Sequence, residues 1–413
     1  MLNKTVLYSD SRILNLDSGF KHKFLCTGPT FTAGTACAYK CTYCYVEAQV
    51  GSKPFVTDVL NGRAFKDVVI RRNNAVAKLR TELKSARGVP KYKGVSGVIY
   101  GSPLVDIAAT KELTDETIGM VQLLLDLTGW DIRLLSKSPL VINIAKSLSG
   151  LQKKRVIFGL STGTFNDAHA RATEPTCPSP TRRTEALRWL QDNDFRTFAM
   201  LCPIAPQPMS QFIEKVITDI RPERCEHVWA EVINLRGDSM TATAEALQKA
   251  GLMDAATELQ AVCGPDSKAA WEQYARGTFE ALANTIPMNG KQPRLRFLQY
   301  VSKATEEWWT GQISNGAVVL GGDGNKIQTA TAASPTLATT TTMIPDNIGK
   351  DPKRVAAAKK AWATIRANQA AKSATPSNLP PASERTPPRP QKPLAEYTND
   401  ELMAELGRRL TKG

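Results

Sequence analysis

The sequence contains no run of eighteen apolar residues, so no transmembrane helix is expected. Its opening stretch, Met1 to Asp10, lacks a charged segment followed by an apolar one. No secretory leader is therefore expected, and the chain is assigned to the cytosol with no membrane partner. Histidine is scarce, with three in 413 residues. His169 and His227 stand alone in the sequence, and a lone histidine more often satisfies a fold than catalyses. Acidic residues are in deficit, 39 against 53 Lys and Arg, giving a net charge of +14 and a pI near 9.4. That balance favours polyanionic partners such as nucleic acid. A disulfide scaffold is also not expected. Of eight cysteines, three crowd into Cys37–Cys44 and five are scattered. In a reducing compartment the crowded ones read as metal or cluster ligands. Cys26, Cys202, Cys225 and Cys263 sit in or near apolar segments and read as small core residues. Cys177 lies in a Pro-rich loop and is left open.

The length suits one large α/β domain with appendages. Short apolar or β-branched runs predict strands at Lys23–Thr27, Ser96–Tyr100, Asp131–Ser136, Val156–Ser161, Arg196–Leu201, His227–Val232 and Arg296–Val301. Amphipathic stretches between them predict helices at Phe65–Lys84, Thr114–Leu127 and Pro180–Asp192, with Thr114 and Thr181 as starts. Strand–helix alternation points to a parallel sheet with crossover helices, and the repeat count to a full or partial (β/α) barrel. Residues 1–238 form the expected barrel core. Residues 239–322 read as its mostly helical completion, with Ala-rich helices at Thr241–Ala250, Ala255–Val262 and Ala269–Ala283 and a last strand near 296–301. Residues 323–413 are low in complexity. Thr329–Thr342 and Ser373–Lys392 read as flexible linkers, Pro352–Lys372 as a basic helix and Leu394–Leu410 as a short terminal helix. From Lys350 onward, 13 Lys and Arg stand against 6 Asp and Glu, so half the positive excess lies in this tail.

The chemistry concentrates in Cys37-Ala-Tyr-Lys-Cys41-Thr-Tyr-Cys44-Tyr45, a C-x3-C-x2-C spacing. Three thiolates on one tight loop can each bind one iron of a four-iron cluster and leave the fourth open to a chelating cofactor. Gly34 gives the loop room to turn. The alternatives are a structural zinc site and coincidental core cysteines. Zinc wants four protein ligands, and the nearest further candidates are Cys26 and His22. Three cysteines in eight residues, among three tyrosines, are unusual for a core.

This motif resembles that of the radical S-adenosylmethionine (SAM) superfamily, and the Cys44-Tyr45 pair resembles its spore photoproduct lyase-like branch. Leu134-Leu-Ser-Lys137-Ser138-Pro139-Leu140 is similar to that branch's third-strand motif. Gly159-Leu-Ser161-Thr162-Gly163, with Glu174-Pro175 and Pro178-Ser179-Pro180-Thr181-Arg182-Arg183 downstream, resembles its fourth strand and following loop. Leu201-Cys-Pro203-Ile204-Ala-Pro206 and Ile233-Asn234-Leu235-Arg236 resemble its fifth and sixth strands. The resemblance spans about Phe24 to Arg236. It implies a partial barrel of radical SAM type, with a [4Fe-4S] cluster on Cys37, Cys41 and Cys44 and SAM as cofactor. It also implies SAM contacts from Tyr43, Tyr45, Ser102, Lys137 and Ser161, and an electron donor such as flavodoxin or ferredoxin. On the residues alone, Lys137 could equally be a solvated strand-end lysine, and Ser102 and Ser161 turn residues. Glu174 is expected to pair with Arg182 or Arg183. Arg236 reads as a substrate-anion contact or a barrel brace.

The sequence departs from the branch at one position. The branch's hydrogen-donating cysteine near the end of the second strand has no counterpart in Ile99-Tyr100-Gly101-Ser102, and no cysteine occurs between Cys44 and Cys177. A tyrosine such as Tyr100, or another thiol swinging in, is the expected substitute for that donor. The implied function is reductive cleavage of SAM to a 5′-deoxyadenosyl radical acting on nucleic acid or a nucleotide, as in DNA repair or modification. The alternatives are a radical SAM enzyme acting on a peptide or protein, and a non-enzymatic nucleic-acid-binding protein with a structural cluster.

Overall fold

The computed structural model describes residues 5–101, 103–234, 238–322 and 324–327, all within one compact unit, Met1–Ala332. Ser102, Arg236, both linkers, the basic helix and the terminal helix lie outside the described residues. The strands in chain order are β1 (Thr5–Ser9), β2 (Leu14–Asn15), β3 (Thr30–Phe31), β4 (Gly34–Ala36), β5 (Val68–Arg72) and β6 (Val98–Gly101). They continue with β7 (Asp131–Ser136), β8 (Val156–Ser161), β9 (Arg196–Ile204), β10 (Val228–Val232), β11 (Leu295–Tyr300) and β12 (Ala317–Leu320).

Nine strands form one sheet in the order β12-β11-β10-β9-β8-β7-β6-β3-β2. Every pair from β3 to β12 is parallel, and β2 adds antiparallel at one edge. From β6 onward each strand adds on the same side of the previous one. Right-handed crossovers then place the helices on one face of the sheet, and the bare face curls inward to be buried. The side chains follow this with a period of two. In β8, Val156, Phe158 and Leu160 join the sheet–helix core, while Ile157 faces the inner cluster. In β9, Ala199 and Leu201 point to the helices, and Phe198 and Met200 point inward. Trp229 of β10, Leu298 of β11 and Val318 of β12 complete the inner face. Gly159 leaves room for the Phe198 ring, since a Cβ there would lie 2.2 Å from it.

The predicted first strand, Lys23–Thr27, is not a strand. The outermost parallel strand is β3, and the segment before it turns into the barrel interior, with Phe24 in the left-handed region at φ 58°. Inward-facing donors outweigh the pairing a strand would offer. Trp229 Nε1 donates to the Lys23 carbonyl at 2.9 Å, and Arg133 Nη1 to those of Phe24 and Leu25 at 3.2 and 2.7 Å. Arg296 Nη1 donates to Phe24 as well, at 2.9 Å. The segment thus plugs one end of the partial barrel, with its carbonyls satisfied by buried side chains.

The predicted helix over Phe65–Lys84 divides into a 3-10 turn at Phe65–Asp67, β5, and a helix at Ala75–Leu83. The run Val68-Val69-Ile70 is β-branched, and it pairs with β1 and β4 in a separate three-stranded sheet. The helix expected over Thr114–Leu127 begins earlier, at Lys111, because the Thr110 side chain caps it by accepting from Leu113 N. Ser179, not Thr181, caps the helix Pro180–Asp192. The C-terminal helices are Asp238–Lys249, Met253–Cys263 and Lys268–Thr285, and β12 follows the last strand expected from the sequence.

His227, just before β10, makes the plugged end sensitive to acid. Its Nε2 lies 2.9 Å from Arg296 Nη2 and accepts from it, so the ring is neutral. Burial, then repulsion from Arg296 and Arg133, push its pKa down to about 3. Between that value and its ordinary one of about 6.5, the unfolded chain binds a proton that the folded chain refuses. Stability is therefore fully present above about pH 6.5 and declines as the pH falls toward 3. Lowering the pH from 7 to 5 is expected to cost about 2 kcal/mol through this group. In urea titrations at the two pH values, His227→Gln should lose that part of the difference; an unchanged difference would contradict the assignment.

Candidate active site

Strand β4 runs directly into the cysteine loop. The loop holds Lys40 in the left-handed region at φ 50° and ends where Cys44 stands at the N-cap of the helix Tyr45–Val50. Its backbone is fastened to the segment after β8. Thr42 N donates to the Thr173 carbonyl at 2.9 Å, and Thr176 Oγ1 to the Ala38 carbonyl at 2.7 Å. None of the eight cysteines is disulfide-bonded.

A cavity of about 660 Å³ opens at the C-terminal ends of the parallel strands. Cys37, Cys41 and Cys44 line it together with Tyr43 and Tyr45 from the same loop. Tyr100 of β6, Lys137 after β7, Ser161 of β8, Cys202 of β9, Glu231 of β10 and Tyr300 of β11 close the remaining wall. Residues of β6 and of β8 to β11, with Lys137 after β7, border one cavity, as in a sheet curled into a partial barrel, and strand C-termini are where such a fold presents ligand groups.

Behind Cys41 stands a buried polar network. Lys137 Nζ donates to Tyr43 Oη at 2.7 Å and to Glu174 Oε1 at 2.6 Å, and lies 3.9 Å from Cys41 Sγ. Glu174, 4% exposed, also accepts from Tyr43 Oη and from Arg183 Nη2. Of the two arginines expected to pair with Glu174, Arg183 does so. Burial pushes the Glu174 carboxyl above its ordinary value, and Arg183 opposes this. The half-buried Asp106 carboxylate fixes the turn that carries Lys137. It accepts from Ser136 Oγ and from Lys137 N, each at 2.6 Å.

The thiols differ in setting. Burial, with the neighbouring Cys41, pushes the Cys37 thiol up to about 12. Cys44 is also raised by burial. Cys41 is lowered, first by the Cys177 thiol, with burial opposing and Lys137 assisting. Among the described residues, no three His, Cys, Asp or Glu side chains converge where a single ion could sit. The three loop thiols share one cavity without sharing one ion position. Three thiols bordering one cavity are a donor set of the kind that an iron–sulfur cluster takes.

The structure brings Tyr43, Tyr45, Lys137, Ser161 and Tyr100 to the same cavity as the three cysteines. Tyr45 Oη donates to the Pro103 carbonyl at 2.9 Å, although the residue is half exposed. Ser161 Oγ donates to the Cys202 carbonyl at 3.2 Å. Tyr100 is buried, its ring 5.3 Å from that of Phe20. Lys137, read as a SAM ligand group, is engaged by Tyr43 and Glu174.

Sequence reasoning missed four groups. Cys177 stands 3.7 Å from Cys41, sulfur to sulfur. Cys202 was read as core, but it lines the cavity with its thiol 3.8 Å from Glu231 Oε2, because the inward period of β9 continues past Met200. Glu231 was signalled by the same period, two residues after inward Trp229. Burial pushes its carboxyl up and Lys23 opposes this. Lys23 was hidden by the mistaken strand. Burial tends to lower its ammonium, but Glu231 and Tyr300 outweigh that and raise it. Cys26 and Cys225 are buried, as expected of core cysteines.

No family profile and no curated protein sequence matches the chain. Among solved structures, it is similar to a spore photoproduct lyase mutant with bound AdoMet and dinucleoside spore photoproduct. That likeness has 12% identity over 67% of this chain and 77% of the other, at a TM-score of 0.42. A second spore photoproduct lyase variant matches at 12% identity over 65% and 75%, with a TM-score of 0.41. The chain is also similar to anSMEcpe with bound AdoMet and a peptide, at 13% identity over 65% and 71%, with a TM-score of 0.32.

Proposed function

We propose that the chain is a radical SAM enzyme, with a [4Fe-4S] cluster on Cys37, Cys41 and Cys44 and SAM beside it in the cavity. The observation that carries this reading is convergence. Three thiols of an eight-residue loop and the side chains of Tyr43, Lys137, Ser161 and Tyr100 border one cavity at the strand C-termini. When bound, the cluster supplies an electron to SAM, whose carbon–sulfur bond breaks to give methionine and a 5′-deoxyadenosyl radical.

The chain's own residues prepare that chemistry. Lys137 sets a positive charge beside Cys41, offsetting the negative charge that thiolate ligands bring into a low-dielectric site. Glu174 and Tyr43 hold the ammonium in place. Ser161, having donated its hydrogen to Cys202, keeps acceptor lone pairs for a ribose hydroxyl. Tyr100, Tyr300 and Cys202 are among the wall groups with a hydrogen atom to give. The substrate proposed is nucleic acid or a nucleotide, supported by the net charge of +14 and the branch resemblance.

The test uses anaerobically reconstituted full chain with SAM and dithionite. We expect 5′-deoxyadenosine and methionine in equal amounts, and faster release with a DNA or RNA oligonucleotide present. Intact four-iron protein that releases none would refute the enzyme reading. Release indifferent to any nucleic acid or nucleotide would refute the substrate.

A further inference from the structure

We infer that Cys41 and Cys177 form a reversible disulfide when the cysteine loop carries no iron, a modification site that gates cluster loading. The two sulfurs are 3.7 Å apart although 136 residues separate them in the chain. A disulfide needs about 2.05 Å, so closure asks each side chain for less than about 1 Å of movement. The approach is built by the backbone. The bonds Thr176 to Ala38, at 2.7 Å, and Thr42 to Thr173, at 2.9 Å, clamp the two loops together on either side of the pair. Both cysteines are half-buried rather than sealed in the core, and Cys41 lines the open cavity, which gives a small oxidant a way to the pair.

The oxidant is a low-molecular-weight disulfide. One protein thiolate attacks it, giving a mixed disulfide and releasing one small thiol; the neighbouring protein thiolate then displaces the second. Two protein S–H bonds are lost, one protein S–S bond forms, and the oxidant's S–S bond is reduced to two thiols. In this form Cys41 is no ligand. Its sulfur is also kept from the irreversible oxidation states that an exposed thiolate can reach. Excess small thiol reverses the link and returns Cys41 to the loop. The effect on loading rests on the proposed function; the disulfide itself does not.

The full chain, anaerobic and cluster-free, is incubated with oxidised glutathione, alkylated and digested without reductant. Mass spectrometry should find the tryptic peptide that begins at Cys41 joined through that residue to the peptide bearing Cys177. The oxidised protein should take up at least tenfold less iron than the reduced protein, with dithiothreitol restoring uptake. Cys44→Ser should keep the link. Cys177→Ser should lose it, while its reduced form loads iron as the wild type does. A Cys41–Cys44 link in place of the expected one, or Cys177 fully alkylated after oxidation, would overturn the inference. If the reduced wild type binds no cluster, the proposed function fails, and the linked peptide still decides the disulfide.

Discussion

Cys41→Ser should abolish cluster assembly and 5′-deoxyadenosine release while leaving the fold intact. The expected loss exceeds the roughly 10- to 100-fold that changes behind a metal ligand cost, because the ligand itself is removed. Serine has nearly the same shape, and Cys41 lies on a loop with its sulfur against Cys177 and Lys137. Far-ultraviolet circular dichroism and the urea midpoint should therefore stay near wild type, while iron and acid-labile sulfide fall. Cys225→Ser is the contrast. Cys225 is 1% exposed in the sheet–helix core, so that variant should lose stability and keep its iron. If both variants load iron equally, the loop cysteines hold no cluster.

Glu174→Ala should be the most destabilising substitution at the site. One buried carboxylate meets Arg183, Lys137 and the Tyr43 hydroxyl. Its removal leaves a guanidinium that is 1% exposed and a half-buried ammonium without their anion. Breaking such a buried pair from one side costs about 3–5 kcal/mol. Glu174→Gln restores the shape and one acceptor but not the charge, and should recover only part of the loss. Both variants also loosen Lys137 and Tyr43 behind the cysteine loop, so cluster affinity should fall by roughly 10- to 100-fold. Urea unfolding and iron titration read the two effects separately. A midpoint unchanged in Glu174→Ala would show that the network contributes nothing to the fold.

The sheet was legible in the sequence wherever a strand's own composition fixed its state. The runs from Ser96–Tyr100 to Arg296–Val301 are short, apolar and bounded by helical patterns, and β6 to β11 follow them within a few residues. The failures have local causes. Val68–Arg72 carries apolar residues that also satisfy a helical period, and only pairing with Thr5–Ser9 decides for a strand. Lys23–Thr27 has strand composition, but donors from Arg133, Trp229 and Arg296, far off in sequence, bend it into a plug. Strand β12 is four residues long and leaves no distinct signal.

At the site, the C-x3-C-x2-C spacing was legible because all three ligand candidates lie within one loop. Cys177 was not, since its place beside Cys41 depends on how the segment between the helices Asp167–Thr173 and Pro180–Asp192 returns to that loop. Cys202 looked like core because its neighbours are apolar, and only the inward period of β9 turns it to the cavity. Lys137 follows β7 at a strand C-terminus, as its sequence position implied, but its partners Tyr43 and Glu174 come from two other segments.

In the proposed function, three thiolates leave one iron open to SAM. Electron paramagnetic resonance of the reduced, fully loaded protein, recorded before and after SAM is added, tests it directly. A changed signal on SAM addition is expected in the wild type. A complete four-iron cluster whose signal SAM leaves unchanged would contradict it.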